Sequence, residues 1–133
     1  MKFKHAFFAI LFVLVCHGVL ILTQGYYHFK QIDVPMHIMG GFAMGMLGLA
    51  IHHQISTRYH NKTSPWWYHF IFVVGFAMLI GVGWEFYEFI LDQTVHVWLQ
   101  QPLSQPSLAN TMKDLLDDLI GAVLAFWIFR KKI

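Results

Sequence analysis

Four apolar stretches constrain this chain more than any other feature, because each comes close to the roughly 20 residues an α-helix needs to cross a bilayer. They run over Ala6–Thr23, Val34–Ile51, Tyr68–Leu91 and Thr111–Phe129. The intervening segments, Gln24–Asp33, His52–Trp67 and Asp92–Asn110, hold Pro65, Pro102 and Pro106 and most of the Asn, Gln and Ser. Pro35 falls in the first turn of the second stretch, where its missing N–H costs little. Charged residues make up 12% of the chain and hydrophobic ones 57%. A soluble domain carries about 25% charged residues, so too little polar surface remains for a water-soluble globule. The length of 133 residues suits one domain. The expected fold is all-α: a polytopic membrane protein, a four-transmembrane-helix bundle forming a single domain over residues 1–133.

Lysine and arginine placement sets the expected orientation. Lys2 and Lys4 precede the first helix, Arg58 and Lys62 lie between the second and third, and Arg130, Lys131 and Lys132 follow the fourth. Four crossings put these three groups on one side, so both termini are expected in the cytoplasm, with the chain in a bacterial inner membrane. Only Lys30 and Lys113 fall on the opposite side. The first helix follows two lysines as a signal peptide would, but its apolar run is long. Leu22-Thr23-Gln24-Gly25-Tyr26 also offers no small-residue cleavage site, so a retained anchor is expected. A net charge of +2 without a basic patch excludes nucleic acid as a partner. Cys16 stands alone, which excludes an intramolecular disulfide and a multi-cysteine metal site.

The seven acidic residues are Asp33, Glu85, Glu88, Asp92, Asp114, Asp117 and Asp118. Under this topology all of them fall at the external ends of helices two, three and four. A 3.6-residue period puts Ala77, Gly81, Glu85, Glu88 and Asp92 on one face of helix three. On helix four it groups Asp114, Asp117, Asp118, Gly121 and Ala125, without choosing between Asp117 and Asp118. On helix two His37 shares a face with Gly41, Gly45 and Gly48, with Asp33 one turn above. Small residues let membrane helices approach closely, so these three stripes are expected to meet and enclose the acids.

Glu85 lies roughly 10 Å deeper than Asp92, at about 1.5 Å per residue. An ionised group near the bilayer centre costs about 2.5–3.5 kcal/mol even on insertion scales. Neighbouring carboxylates also repel one another, so bound cations or protons must offset them. A divalent metal is the most economical solution. Carboxylates suit Mg²⁺, Mn²⁺ or Ca²⁺, and His37 makes Zn²⁺ or Fe²⁺ fit as well. The expected metal ligands are drawn from Asp33, His37, Glu85, Glu88, Asp92, Asp114, Asp117 and Asp118, with Glu85 or Glu88 as general base in an enzymatic version. The bland alternative has these acids capping helix ends, hydrated and paired with Lys30, Lys113 and His96. His52, His53, His60 and His69 read as interfacial residues. The stretch Asp92–Asn110 carries Val95, Val97, Trp98, Leu99 and Leu103 and can lie on the outer surface as a lid.

Three motifs together resemble the YjdF-like family of small uncharacterised bacterial inner-membrane proteins. They are Asp33-x-x-x-His37-x-x-Gly40-Gly41-Phe42, Gly83-Trp84-Glu85-x-x-Glu88-x-x-x-Asp92, and Thr111-Met112-x-Asp114-Leu115-x-x-Asp118-x-x-Gly121-Ala122. The resemblance runs from Asp33 to Arg130 and leaves the first helix outside. Asn110 stands where the family pattern often has Asp, and Lys113 is unusual within the motif. More distantly, the order of the acidic helices is similar to the VanZ-like group, whose members are linked to glycopeptide tolerance. That resemblance implies an envelope-facing role and supplies no reaction.

The leading expectation is a divalent-cation site near the external face that acts on or binds a membrane lipid or lipid-linked envelope molecule, as a metal-dependent hydrolase or transferase in its enzymatic form. The alternatives are a cation- or proton-coupled carrier, for which a homo-oligomer would have to complete a polar pathway, and a structural or accessory membrane subunit.

Overall fold

The computed structural model describes residues 2–29, 31–59 and 64–130. Lys30, His60, Lys62, Lys131 and Lys132, which enter the readings above, lie outside the described residues. Among the described residues the protein is all-helical. The elements are α1 (Phe3–Leu22), α2 (Gly25–His28), α3 (Asp33–Tyr59), α4 (Trp66–Leu91), a π-helical segment (Asp92–His96), α5 (Val97–Leu99) and α6 (Leu108–Phe129). Among the described residues, three stretches are long and apolar enough to cross a membrane: Phe3–Leu22, Asp33–Arg58 and Trp66–Leu99.

Local chemistry sets the helix ends. Gln24 adopts the left-handed conformation, φ 56°, and separates α1 from the single turn of α2. Pro65 in extended geometry stands at the N-cap of α4. The Ser107 hydroxyl accepts the Asn110 amide and starts α6 at Leu108, three residues ahead of the apolar run. α3 continues past Ile51 to Tyr59 because its last turns still have a neighbour. His52 is buried there and its ring nitrogen lies 3.2 Å from Nδ1 of His69 on α4. His69 Nε2 donates to the Ser64 carbonyl at 3.0 Å, so two of the histidines read as interfacial join α3 to the start of α4.

α3 is the hub, packing against α1, α4 and α6, while α4 and α6 also pack on each other. Glycines set how closely α3 and α6 approach. A Cβ built on Gly41 would stand 2.0 Å from the carbonyl oxygen of Asp118, and one on Gly121 would stand 2.1 Å from that of Ile38. Below this crossing the core is hydrocarbon, with Leu49, Val73 and Phe126 in one cluster and Val74, Ala77 and Ala122 in another. The large side chains Phe7, Phe12, Leu79, Phe86, Phe89 and Leu116 point outward while acids lie inside. That inverts the distribution of a water-soluble protein and suits hydrocarbon solvent.

Candidate functional site

The start of α3, the end of α4 and the first turns of α6 bring together six of the eight anticipated side chains. Asp33 opens α3 and His37 follows one turn later, with His37 Nε2 3.5 Å from Asp33 Oδ1. The other ring nitrogen, Nδ1, lies 3.5 Å from Asp118 Oδ1 across the α3–α6 crossing. The Asp118 carboxylate needs glycine beside it on α4. A Cβ on Gly81 would fall 2.6 Å from its Oδ2. Asp118 is therefore the aspartate of its pair that faces His37, a choice the helical period left open.

Asp114 is fully buried. It accepts from the Asn110 amide and from the Lys113 ammonium. Lys113 also donates to Asp117 at 3.0 Å and lies 3.9 Å from Asp33. The outer group of acids thus carries its own cation.

Deeper in the site the neighbours differ. Glu85 Oε2 accepts from the Gln105 side chain at 2.5 Å, and the same amide reaches the Glu85 backbone carbonyl at 2.9 Å. Glu85 Oε1 is buried without a hydrogen-bond partner. The Trp84 indole donates to Glu88 Oε1 at 2.9 Å. Among the described residues, two groups of side chains can offer ligand atoms that all lie within 4.8 Å of one another: Asp33 with His37 and Asp114, and His37 with Glu85 and Glu88. His37 belongs to both, so they form one continuous pocket.

Asp118 adjoins these groups through His37, while Asp92 and Asp117 stand apart from them. The Ser104 and Gln105 backbone amides donate to the two Asp92 oxygens, each at 2.8 Å, and His96 Nδ1 lies 2.6 Å from Oδ1. Asp92 therefore fastens the segment 100–107 onto α4. Asp117 serves Lys113. The stretch Asp92–Asn110 does not form the expected lid as a whole: Asp92–Leu99 continues the helical path of α4 with Val97 and Trp98 exposed, and only Gln105 of the following segment is inserted beside Glu85.

Gln105 and Trp84 were not among the anticipated site residues. Gln105 lies between Pro102 and Pro106, which keep that stretch out of helix, but its partner is set by the folded loop. Trp84 precedes Glu88 by one helical turn, a spacing at which an indole can reach a carboxylate on the same face.

No curated protein and no solved structure matches the chain. A family model described as "Predicted membrane protein (DUF2238)" matches residues 2–132, which takes in α1 along with the acidic helices that carry the motif resemblance. The chain belongs to that predicted membrane protein family, DUF2238.

Proposed function

We propose that the chain is a four-span protein of the bacterial inner membrane, with α6 as the fourth span and both termini cytoplasmic. In this reading it binds a divalent cation through His37, Glu85 and Glu88 near the external face. It uses that cation on a lipid or lipid-linked envelope molecule.

The observation that carries the proposal is that Glu85, whose Oε1 is buried and unpartnered, offers a carboxylate oxygen within 4.8 Å of ligand atoms of His37 and Glu88. A buried acceptor left unmade costs about 1–3 kcal/mol, and more if it is charged. A cation between these three residues removes that cost. Lys113 already stands among Asp33, Asp114 and Asp117, so the deeper group has the greater need for an external positive charge. One imidazole with two carboxylates suits Zn²⁺, Fe²⁺ or Mn²⁺ better than Mg²⁺ or Ca²⁺, which prefer oxygen alone. Asp118 beside His37 Nδ1 supplies the outer carboxylate that orients a ligating imidazole and fixes its tautomer.

A metal there would polarise a phosphoryl or carbonyl oxygen or lower the pKa of bound water. Asp33, Asp114 and Lys113 would flank the incoming group, and Glu85 or Glu88 would accept a proton as the general base. A conduit reading is less well supported, because the core below the site is the hydrocarbon of Leu49, Val73, Ala122 and Phe126.

Metal analysis of the purified protein tests the site. About one divalent ion per chain is expected, with Glu85→Gln and His37→Ala losing most of it. Asp114→Asn is expected to lose less, since Lys113 remains to serve the outer acids. An ion retained in full by Glu85→Gln, or none in the unaltered protein, would overturn the assignment.

A further inference from the structure

A chamber of about 120 Å³ lies between α1, α3 and α4, and its walls change character along its length. One end is hydrocarbon, where Ile10, Val13 and Leu14 of α1 face Met44 of α3 and Ala77 of α4. The other end is polar, lined by His17, Tyr26, Asp33, His37 and Glu88. From Ala77 to Glu88 the α4 wall advances about 16 Å, at ~1.5 Å per residue. Two of the polar residues, His37 and Glu88, belong to the deeper ligand group.

The α1 side of the polar end is a donor. The Tyr26 hydroxyl lies 2.7 Å from His17 Nδ1. If the hydroxyl donates, a neutral His17 keeps its proton on Nε2; if Nδ1–H donates, the Tyr26 proton is free. Either way the pair has one further donor to offer. Burial, with Asp33 and Glu88 close by, pushes the Tyr26 phenol above its ordinary range and keeps it protonated. The His17 ring also meets the edge of Trp84 at 5.2 Å, which ties α1 to α4 at this level. A histidine within an apolar span marks a functional position by default. Here it stands where a hydrocarbon chamber meets a group of cation ligands.

We infer that this chamber holds the hydrocarbon chain of a phosphorylated amphiphile, with the chain toward Ile10 and Met44 and the phosphate between the His17–Tyr26 pair and the cation ligands. The inference rests on the cation site for one side of the phosphate, because Asp33, Glu88 and Asp118 alone would repel an anionic head. A neutral head would leave the His17–Tyr26 donor and the cation unused. A free phosphate would leave the apolar end unfilled.

The probe is dodecyl phosphate carrying a terminal diazirine, photolysed with the full chain in a neutral detergent and mapped by mass spectrometry. Adducts are expected on Ile10 to Leu14 and on Met44 or Ala77. Excess dodecyl phosphate should suppress them, while inorganic phosphate and dodecanol should not. Val13→Trp, which fills the chamber, should abolish them. His17→Phe should weaken competition by about tenfold, as loss of one hydrogen bond to a charged group implies. Competition by undecaprenyl phosphate or by dioleoyl phosphatidic acid would support the inference and name the source of the chain.

Adducts spread over the outward-facing Phe7, Leu79 and Phe86 would overturn it. So would dodecanol or dodecylamine competing as well as the phosphate. Metal content read on the same samples keeps the two proposals apart. Scattered adducts on protein that holds its metal sink the chamber alone. Chamber-specific, phosphate-dependent adducts on protein that holds none sink the cation site and leave the chamber standing.

Discussion

Glu85 on α4 and Asp92 at the start of the π-helical segment are buried carboxylates, and their partners give them different work. Both Asp92 oxygens accept backbone amides, and His96 sits against one of them. Glu85 has one oxygen held by Gln105 and one held by nothing. Asn at position 92 keeps a single acceptor oxygen, so Asp92→Asn turns an NH₂ toward one of the two loop amides. The expected loss is about 1–3 kcal/mol of stability, read as a lower melting temperature in detergent, with the bound metal retained. Metal lost in Asp92→Asn at a temperature where the protein is still folded would return Asp92 to the ligands. Gln105 holds Glu85 Oε2 and so leaves Oε1 as the oxygen open to a cation.

At the scale of helices, close approach governs the site. Gly41 and Gly121 let α3 and α6 cross so tightly that His37 and Asp118 come within 3.5 Å. Ordinary contact begins at 3.4 Å, and a Cβ at either position would meet backbone near 2 Å. Gly41→Val or Gly121→Val must therefore push the helices apart, and both stability and metal content are expected to fall. Gly83, one position from Trp84, has nothing within 4 Å of where its Cβ would be. Gly83→Ala should be neutral or stabilise by about 0.5–1 kcal/mol, and the contrast, measured by thermal unfolding, separates packing glycines from an idle one. Much of this was legible from the chain. A 3.6-residue period alone places Glu85 with Gly81 and Asp118 with Gly121, because a helix fixes the phase of its side chains whatever surrounds it. The parts set by return of the chain were not legible. The fastening of residues 104 and 105 to Asp92 depends on the path between Gln100 and Ser107, where no period operates. The same period also gives Asp117 and Asp118 nearly equal claims, and only the glycines opposite Asp118 decide between them.

For the whole molecule, the fourth span proposed above raises the question of what would let α6 cross. It carries Lys113, Asp114, Asp117 and Asp118, and unlike Phe3–Leu22, Asp33–Arg58 and Trp66–Leu99 it does not qualify as a span by composition. Its Leu, Ile, Val and Phe residues supply roughly 3–6 kcal/mol of insertion free energy, at about 0.3–0.6 per residue. Four charges near the bilayer centre would cost about 10 kcal/mol or more, and less toward the interface. The balance favours insertion only if most of the charge is hidden or paired, and it is: the three aspartates are buried, and the half-exposed Lys113 pairs with Asp114 and Asp117. Asp114, Asp117 and Asp118 are each at most 7% exposed, turned toward α3 and α4, while Leu116, Leu124 and Ile128 face outward. α6 should therefore enter the membrane as a partner of α3, not as an independent span. Residues 108–130, placed alone in a host protein with glycosylation sites on either side, are expected to be translocated without insertion. In the full chain a reporter after Arg130 should read cytoplasmic, and Gly121→Val should shift part of the population outward by weakening the α3–α6 crossing. Efficient insertion of the isolated segment would refute this coupling, and an external reporter in the unaltered chain would refute the fourth crossing itself.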